Sequence, residues 1–165
     1  MTLKLILKHP NDQLLKVSEP LSDEDIKSDS TQRLIDDMLL TMNTEKGIGL
    51  AAPQVGVHKR LFVLDLGDGP IVLINPKIIS RSTRMIETTE GCLSIPGVWG
   101  VVARHKSVKL KAKNRKGEPI RVKASGLFSV VCQHENDHLD GILFIDRADR
   151  ILEGEEMLEG AEAII

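Results

Sequence analysis

Length, composition and charge limit the kinds of protein that this sequence can encode. Its 165 residues suit one compact domain, and its 41% hydrophobic and 28% charged residues are ordinary for a globular protein. Aromatic residues make up only 2%, so we expect an aliphatic core and no stacking platform for single-stranded nucleic acid. The net charge of −2 gives no reason to expect DNA binding, and no apolar run is long enough to span a membrane.

The amino terminus and the cysteines indicate a compartment. Residues 1–10, MTLKLILKHP, have a short apolar patch, but polar residues 11–13 follow and no small-residue cleavage site appears. We interpret this segment as a first strand or a lead-in, and not as a signal peptide. Cys92 and Cys132 are too few for a disulfide framework, so a cytoplasmic protein is expected. An organelle form and a phage-encoded origin are the alternatives.

The first half of the chain predicts a helix, a turn and two strands. Residues 30–43 place apolar side chains at helical spacing, which predicts an amphipathic helix. Residues 47–56, GIGLAAPQVG, predict a glycine-rich turn. Residues 60–66 and 70–76 read as strands joined by the turn at 67–69.

The second half predicts a hairpin and another helix. Residues 101–114 and 118–125 alternate apolar and charged side chains, and the turn at 115–117 would join them as a hairpin. Residues 126–139 then switch to an apolar run of helical length, which predicts a helix with a buried first half. A strand and helix followed by antiparallel strands and a helix predict an α+β domain.

This last helix carries the pattern QHENDHLDG, residues 133–141. His134 and His138 are four residues apart, so on a helix they share a face and can bind one ion, with Glu135 beside it. This is the HExxH arrangement of zinc-dependent hydrolases. The alternative is a solvated helix with two surface histidines, which the apolar run before His134 disfavours.

Spacing alone does not identify a third ligand. The candidates, all upstream, are His9, His58, His105, Cys92, Cys132 and several carboxylates. Cys92 lies in EGCLSIPG, residues 90–97, where glycine and proline predict an irregular backbone that presents a side chain. Cys132 would face about 200° away from His134 on a helix, which favours a small buried hydrophobe. A Cys/His/His set with one open position is typical of catalytic metal sites.

Three segments together resemble the signature motifs of peptide deformylases. They are GIGLAAPQVG at 47–56, EGCLSIPG at 90–97 and QHENDHLDG at 133–141, in the order of the family. The resemblance implies metal-dependent hydrolysis of the N-formyl group from the N-terminal formylmethionine of nascent peptides, with release of formate. It also implies a fold in which antiparallel β-sheets pack around a central helix that carries HExxH.

The resemblance extends from about residue 5 to residue 146. We therefore expect a single metallohydrolase domain over residues 1–146. Residues 147–165 are expected to form a short acidic C-terminal tail or a partial helix.

The resemblance implies a metal site and a general base. Cys92, His134 and His138 would hold one divalent metal. Ferrous iron is common in the family, and zinc, nickel and cobalt are alternatives that ligand spacing does not distinguish. Glu135 would take a proton from water and deliver it to the leaving amine.

The resemblance also implies donors for an oxyanion and supports for the ligands. Gln54 would donate through its side-chain amide and Leu93 through its backbone N–H, although Gln54 alone could equally be a surface turn residue. Glu90, Gln133 and Asp137 would orient the metal ligands, and Asp137 could instead bind a neighbouring basic strand.

The same resemblance supplies candidates for substrate binding. Gly47 and Gly49 allow close approach of a substrate or another strand, and in the family this segment pairs with the bound peptide as an added strand. Trp99, where bacterial members often have Arg, is either an apolar contact at the cleft rim or a partly buried hydrophobe. The candidate walls of the methionine pocket, each of which could equally be core, are Ile48, Leu127, Val130 and Val131.

The expected partners are N-formylmethionyl peptides and nascent chains at the ribosome, without membrane or DNA. Many bacterial members dock on the ribosome through a long basic C-terminal helix. Here residues 147–165 set Arg147 and Arg150 against six acidic residues, a poor match for RNA. The basic hairpin at 101–124 is an alternative RNA-facing patch, although its alternation favours a solvated strand face.

Two other functions compete with deformylation. One is a different metallohydrolase, such as a peptidase, against which Cys92 and the Gln54 motif argue. The other is a binding protein that captures formylated N-termini without turnover. The presence of Glu135 argues against it, because binding alone needs no general base.

Overall fold

The computed structural model describes residues 1–159, and Glu159 by its backbone alone. Four helices lie in this part of the chain: α1 Asp23–Lys27, α2 Asp29–Thr44, α3 Leu127–Leu139 and α4 Glu155–Glu159. Short 3-10 turns occupy Asp12–Leu15, Ala52–Val55 and Phe144–Asp146. None of the described helices is both long and apolar enough to cross a membrane.

Helix α2 confirms the helix predicted for residues 30–43. Its N-cap is Ser28, whose side chain accepts a hydrogen bond from the backbone N–H of Thr31. Ile35, Met38 and Met42 recur at helical spacing and are fully buried, so the predicted apolar face packs on the core.

Five antiparallel strands form the larger sheet. They are β1 Gly49–Ala51, β2 Leu61–Leu64, β3 Ile71–Arg81, β6 Ser107–Lys113 and β7 Pro119–Ser125. Their order is β1-β2-β3-β6-β7, so β1 and β7 are its edges. The predicted strands at 60–66 and 70–76 correspond to β2 and to the first part of β3.

Three antiparallel strands form the smaller sheet, in the order β4-β5-β8. They are β4 Met85–Cys92, β5 Ile95–His105 and β8 Ala148–Glu153. Strand β4 pairs with β5 from Met85↔His105 to Cys92↔Ile95, with an irregular register just before Cys92. This hairpin therefore ends at a metal-ligand candidate.

The single strand predicted for residues 101–114 is wrong. The chain changes sheets at Lys106, so residues up to His105 belong to β5 and residues from Ser107 belong to β6. The Lys106 N–H bonds to the carbonyl of Arg84, and the Lys106 carbonyl accepts from Gly126. The β6–β7 part of the predicted hairpin is present, paired from Ser107↔Ser125 to Lys113↔Pro119.

Residues 147–165 differ from the expected tail. Ala148–Glu153 form β8, which pairs with β5 from Val102↔Ala148 to Trp99↔Glu153, because the open edge of β5 satisfies its backbone groups. Residues 155–159 form the short helix α4, which agrees with a partial helix. Residues 160–165 of the expected acidic tail lie outside the described residues.

Helix α3 lies against both sheets and carries HExxH. It is buried from Ser129 to Leu139 except at half-buried His134, so burial extends well beyond the predicted first half. The inward side chains of β6 and β7 share one aliphatic cluster with Val131, Cys132 and Leu139 of α3. This confirms the predicted α+β fold with antiparallel sheets around a central helix.

Candidate functional site

Three predicted metal ligands converge where the β4–β5 hairpin meets α3. His134 and His138 lie one turn apart on α3, with ring centroids separated by 5.0 Å. The Sγ atom of Cys92 is 3.2 Å from Nε2 of His138. One ligand atom from each of the three residues lies within 4.8 Å of the other two. This donor set and spacing fit a single divalent cation.

The environment of Cys92 favours the thiolate that binds metals. Cys92 ends β4, and its Sγ accepts from the backbone N–H of Ser94 at 3.4 Å and from Nε2 of Gln54 at 3.4 Å. Burial alone would raise the pKa of Cys92, but His138 and His134 lower the pKa well below its usual value. Cys132 is fully buried in the core, where burial raises its pKa to about 12, so it is the predicted small hydrophobe.

Glu90 orients His134. Its Oε2 accepts from Nδ1 of the imidazole at 2.8 Å, which leaves the other ring nitrogen available as a ligand. Burial would raise the pKa of Glu90, but hydrogen bonds from Arg104 and His134 lower the pKa to about 2. Glu90 is therefore an anion across the physiological range.

Arg104 joins Glu90 to Asp137. It donates to the two carboxylate oxygens of Glu90 at 2.7 and 3.0 Å, and to Oδ2 of Asp137 at 2.5 Å. Arg147 donates to both oxygens of Asp137 at 2.6 and 2.8 Å. Asp137 thus ties α3 to a basic strand residue, which was the second of the two predicted roles.

Gln133 has a different position from the one predicted. Its amide bonds to the backbone N–H and carbonyl of His105 at 3.1 and 2.9 Å and to Ser129, not to a metal ligand. On a helix, Gln133 precedes His134 by one position and faces another side. Gln133 therefore fixes α3 against the end of β5.

Glu135 is a buried carboxyl group beside the ligands. It is 4% exposed, and its Oε2 has no hydrogen-bond partner among the described residues. Burial raises the pKa of Glu135 to about 7, although His134 and His138 oppose the rise. A buried acid with a pKa near neutrality and a free oxygen is suited to proton transfer.

The glycines of the first motif admit Glu135 and Leu93. A Cβ atom at position 49 would lie 2.9 Å from Cδ of Glu135 and closer still to its Oε1. A Cβ atom at position 47 would lie 2.7 Å from Cδ1 of Leu93. A glycine is therefore needed at position 49 because the Glu135 carboxyl group approaches the backbone there. The sequence predicted a close approach at Gly49 but could not show that Glu135 makes it.

Gln54 and Leu93 both lie next to Cys92, Gln54 through its side chain and Leu93 through the chain itself. The Oε1 of Gln54 accepts from Ala51 N at 2.8 Å, which points its Nε2 at the Cys92 sulfur and the Ser94 hydroxyl. Leu93 directly follows Cys92 in the turn, and its carbonyl accepts from Nζ of Lys8 at 2.5 Å. Gln54 is 2% exposed, so it is not a surface turn residue.

One cleft of about 560 Å³ opens over these groups. The predicted residues that line it are Gly47, Ile48, Gly49, Gln54, Glu90, Cys92, Leu93, Trp99, Leu127, Val130, Val131, His134 and Glu135. Ile48, Trp99 and Leu127 are between 45% and 59% exposed at the rim, while Val130 and Val131 are 5% exposed. Val131 also belongs to the core cluster that α3 shares with β6 and β7.

Sequence reasoning missed three residues that support the site. Arg104 lies among basic residues that alternate with apolar ones, yet it is only 3% exposed. It follows Val102 by two positions on β5, so the two side chains are on the same buried face, and this spacing was the only sequence signal of its burial. Lys8 and Ser94 contact the ligand turn through Leu93 and Gln54. No sequence pattern connected Lys8 or Ser94 to the metal-ligand turn.

This fold and this site define a class, the metal-dependent hydrolases. A family model described as polypeptide deformylase matches residues 3–153. A peptide deformylase from Acetivibrio thermocellus is 46% identical over 157 residues, which cover 95% of this chain and 90% of that protein.

Two solved structures are similar over nearly the whole chain. The peptide deformylase of Synechococcus elongatus in complex with actinonin has a TM-score of 0.88 and 42% identity, covering 96% of this chain and 86% of that one. The class I type b peptide deformylase of Acinetobacter baumannii bound to Met-Ala-Ser has a TM-score of 0.85 and 33% identity, covering 88% and 98%.

The chain belongs to the peptide deformylase family. It is a hydrolase that removes the N-formyl group from the N-terminal formylmethionine of nascent peptides, releases formate and depends on a metal.

Proposed function

We propose that Cys92, His134 and His138 hold the catalytic metal of this deformylase. The observation that carries this proposal is their convergence within 4.8 Å beside the buried carboxyl group of Glu135. Ferrous iron is the proposed native ion, with zinc, nickel or cobalt as possible replacements, because one thiolate and two imidazoles suit all four. A divalent cation bound there lowers the pKa of water and polarises a carbonyl group.

Glu135 is the proposed general base and acid. Its free oxygen takes a proton from the attacking water and then delivers that proton to the leaving amine nitrogen. The pKa of about 7 supports both transfers, because the carboxyl group can hold or release a proton near neutral pH. The close fit against Gly49 holds the carboxyl group in place.

Gln54 and Leu93 are the proposed protein donors to the oxyanion formed at the formyl carbon. The Nε2 of Gln54 lies within 3.4 Å of Cys92 Sγ, and the N–H of Leu93 belongs to the next peptide unit. Donors held beside a metal ligand are suited to stabilise negative charge that develops next to the metal.

The cleft is the proposed binding site for the formylmethionyl peptide. Its apolar walls of Ile48, Leu127, Val130 and Val131 suit a methionine side chain, and Trp99 suits the residues that follow. Strand β1 is a sheet edge beside the cleft, so Gly49 can pair with the peptide as an added strand. The Acinetobacter relative binds Met-Ala-Ser, which is the kind of peptide that remains after a formyl group is removed from an N-terminal methionine.

The enzyme is proposed to act in the cytoplasm on chains that emerge from the ribosome. All proposed site residues lie within residues 1–146, and we take these residues as the catalytic domain. Strand β8, which follows them in the chain, adds a third strand to the smaller sheet. The basis for the location is the substrate, because formylated amino termini are produced by translation.

Metal content tests the proposed ligands. We expect one metal per wild-type chain, loss of that metal in Cys92→Ala and His138→Ala, and retention in Cys132→Ala, which removes the other thiol. Elemental analysis after anaerobic loading and gel filtration gives the stoichiometry. Retained metal in Cys92→Ala, with all variants folded, would refute the ligand set.

A further inference from the structure

Strands β3, β6 and β7 present a basic surface to solvent. Side chains alternate along β6 and β7, so buried residues face α3 and cations face outward. We define the basic face as the exposed side chains of Lys77, Lys109, Lys111, Arg121 and Lys123.

The strand register places these cations side by side. Lys111 pairs with Lys77 on β3 and with Arg121 on β7, which makes a row of three positive charges across three strands. Lys109 pairs with Lys123 in the next row. Neighbouring strands are about 4.8 Å apart and alternate residues about 6.8 Å apart, so the five cations share roughly 10 by 7 Å.

Acidic residues do not neutralise the basic face. None of the ion pairs within residues 1–159 includes any of its five cations. In contrast, Lys113 and Arg115 at the turn end of the same hairpin pair with Asp23 and Asp36. Like charges directly opposite each other destabilise a sheet, and an anionic partner would offset their repulsion.

The whole chain is slightly acidic, with 22 basic and 24 acidic residues. The cations of this face are thus concentrated on one surface of a molecule with net charge −2. Such charge asymmetry is typical of proteins that bind a polyanion locally.

The chemistry of the face favours the phosphate backbone of folded RNA. None of β3, β6 and β7 contains an aromatic residue, so unpaired bases have no stacking platform. An interfacial membrane site needs large apolar side chains beside its cations, and Ile79 is the only large hydrophobic residue of these strands that is substantially exposed. Two adjacent rows of cations suit the regularly spaced phosphates of a duplex.

We propose that the basic face binds the phosphate backbone of folded RNA. Its reverse side packs on α3, and none of its five cations lines the substrate cleft. Bound RNA would therefore leave the cleft open to a peptide. Because the substrates are nascent chains, ribosomal RNA is the duplex RNA nearest to them, and the face would hold the enzyme beside its substrate.

Salt-dependent binding to an RNA hairpin tests this proposal. The probe is a fluorescently labelled RNA with a duplex stem, titrated with the metal-loaded enzyme between about 50 and 200 mM salt. The test variant is Lys109→Gln/Lys111→Gln/Arg121→Gln. The matched control is Lys16→Gln/Arg33→Gln/Arg150→Gln, which removes three exposed cations elsewhere and gives the same net charge.

We expect the wild type and the control to bind alike. The test variant should lose affinity on the order of tenfold or more, and the slope of log affinity against log salt should decrease by about three. Equal losses in both triple variants, no binding by the wild type, or binding to phosphatidylserine vesicles instead of RNA would each overturn the proposal. Formate release should be unchanged in the test variant, so failure of deformylation and failure of RNA binding are separately visible.

Discussion

The carboxyl group of Glu135 lies so close to the backbone of Gly49 that any side chain at position 49 would collide with it. We predict that Gly49→Ala lowers kcat by about 100-fold, because small displacements of a catalytic group have effects of that size. Formate release under metal saturation measures kcat. Gly47→Ala is the control, because the one close contact of its Cβ would be with the movable end of the Leu93 side chain, and the Gly49 carbonyl would lie at an ordinary 3.4 Å. Equal activity of Gly49→Ala and the wild type would contradict this role of the contact.

Lys8 is a positioning residue in this account, because its ammonium group holds the carbonyl of Leu93. We predict that Lys8→Met lowers kcat about tenfold with little change in KM, less than the loss of an oxyanion donor itself. Lys8→Arg should restore most of the activity, and Lys16→Met should have no effect. Equal kcat values for Lys8→Met and Lys16→Met would show that this hydrogen bond is dispensable.

Individual residues were predictable where a motif fixes their chemistry. Glu135 and His138 follow from the HExxH spacing, because ligand and base chemistry allow few residue types. Cys92 was one of several candidates for the third ligand, and only the resemblance to peptide deformylases selected it. Lys8 and Arg104 were not predictable, because each reaches the site through contacts between segments far apart in sequence.

At the scale of elements, Arg104 links β4, β5 and α3 through buried ion pairs. We predict that Arg104→Met lowers the free energy of unfolding at pH 7 by about 3–5 kcal/mol, because it leaves the Glu90 and Asp137 carboxylates without this partner. Urea denaturation measures the loss, with exposed Arg84→Met as the control. Similar stabilities of the two variants would contradict the prediction.

The same ion pairs predict a pH dependence. The pKa of Glu90 is about 2 in the folded enzyme against an ordinary 4.5, so its ionised form stabilises the fold above that ordinary pKa. This stabilisation is lost as the pH falls from about 4.5 towards 2. In Arg104→Met the pKa of Glu90 should rise, so the stability difference between wild type and variant should narrow on acidification. Denaturation at pH 7 and pH 3 measures this, and a constant difference would refute it.

Elements were predictable where the signal is local. The helices at 29–44 and 127–139 agree with the predicted 30–43 and 126–139, because apolar spacing is a feature of the sequence. Strands β4 and β8 were not identified, because their polar sequences become strands only by pairing with β5. The change of sheet at Lys106 likewise depends on partners elsewhere in the chain.

At the scale of the whole molecule, two sheets and one helix bring four distant segments to one cleft. The amino-terminal segment contributes to this assembly, because Leu7 N–H bonds to the carbonyl of Gln54 and His9 N–H bonds to the carbonyl of Ser94. The resemblance of three motifs predicted the cleft residues and the reaction. The alternation of residues 101–124 had predicted a basic hairpin, but the row that Lys111 forms with Lys77 of β3 depends on strand register and could not be predicted.

This cleft deformylates peptides, and Glu135 is its proposed base. The most direct test measures formate release from formyl-Met-Ala-Ser by protein loaded anaerobically with Fe²⁺ or Ni²⁺, alongside metal-loaded Glu135→Gln. We predict turnover by the wild type and a loss of about 10²–10⁴-fold in the variant, with its metal retained. An inactive wild type with one metal per chain would contradict deformylation, and an active Glu135→Gln would contradict the role of Glu135.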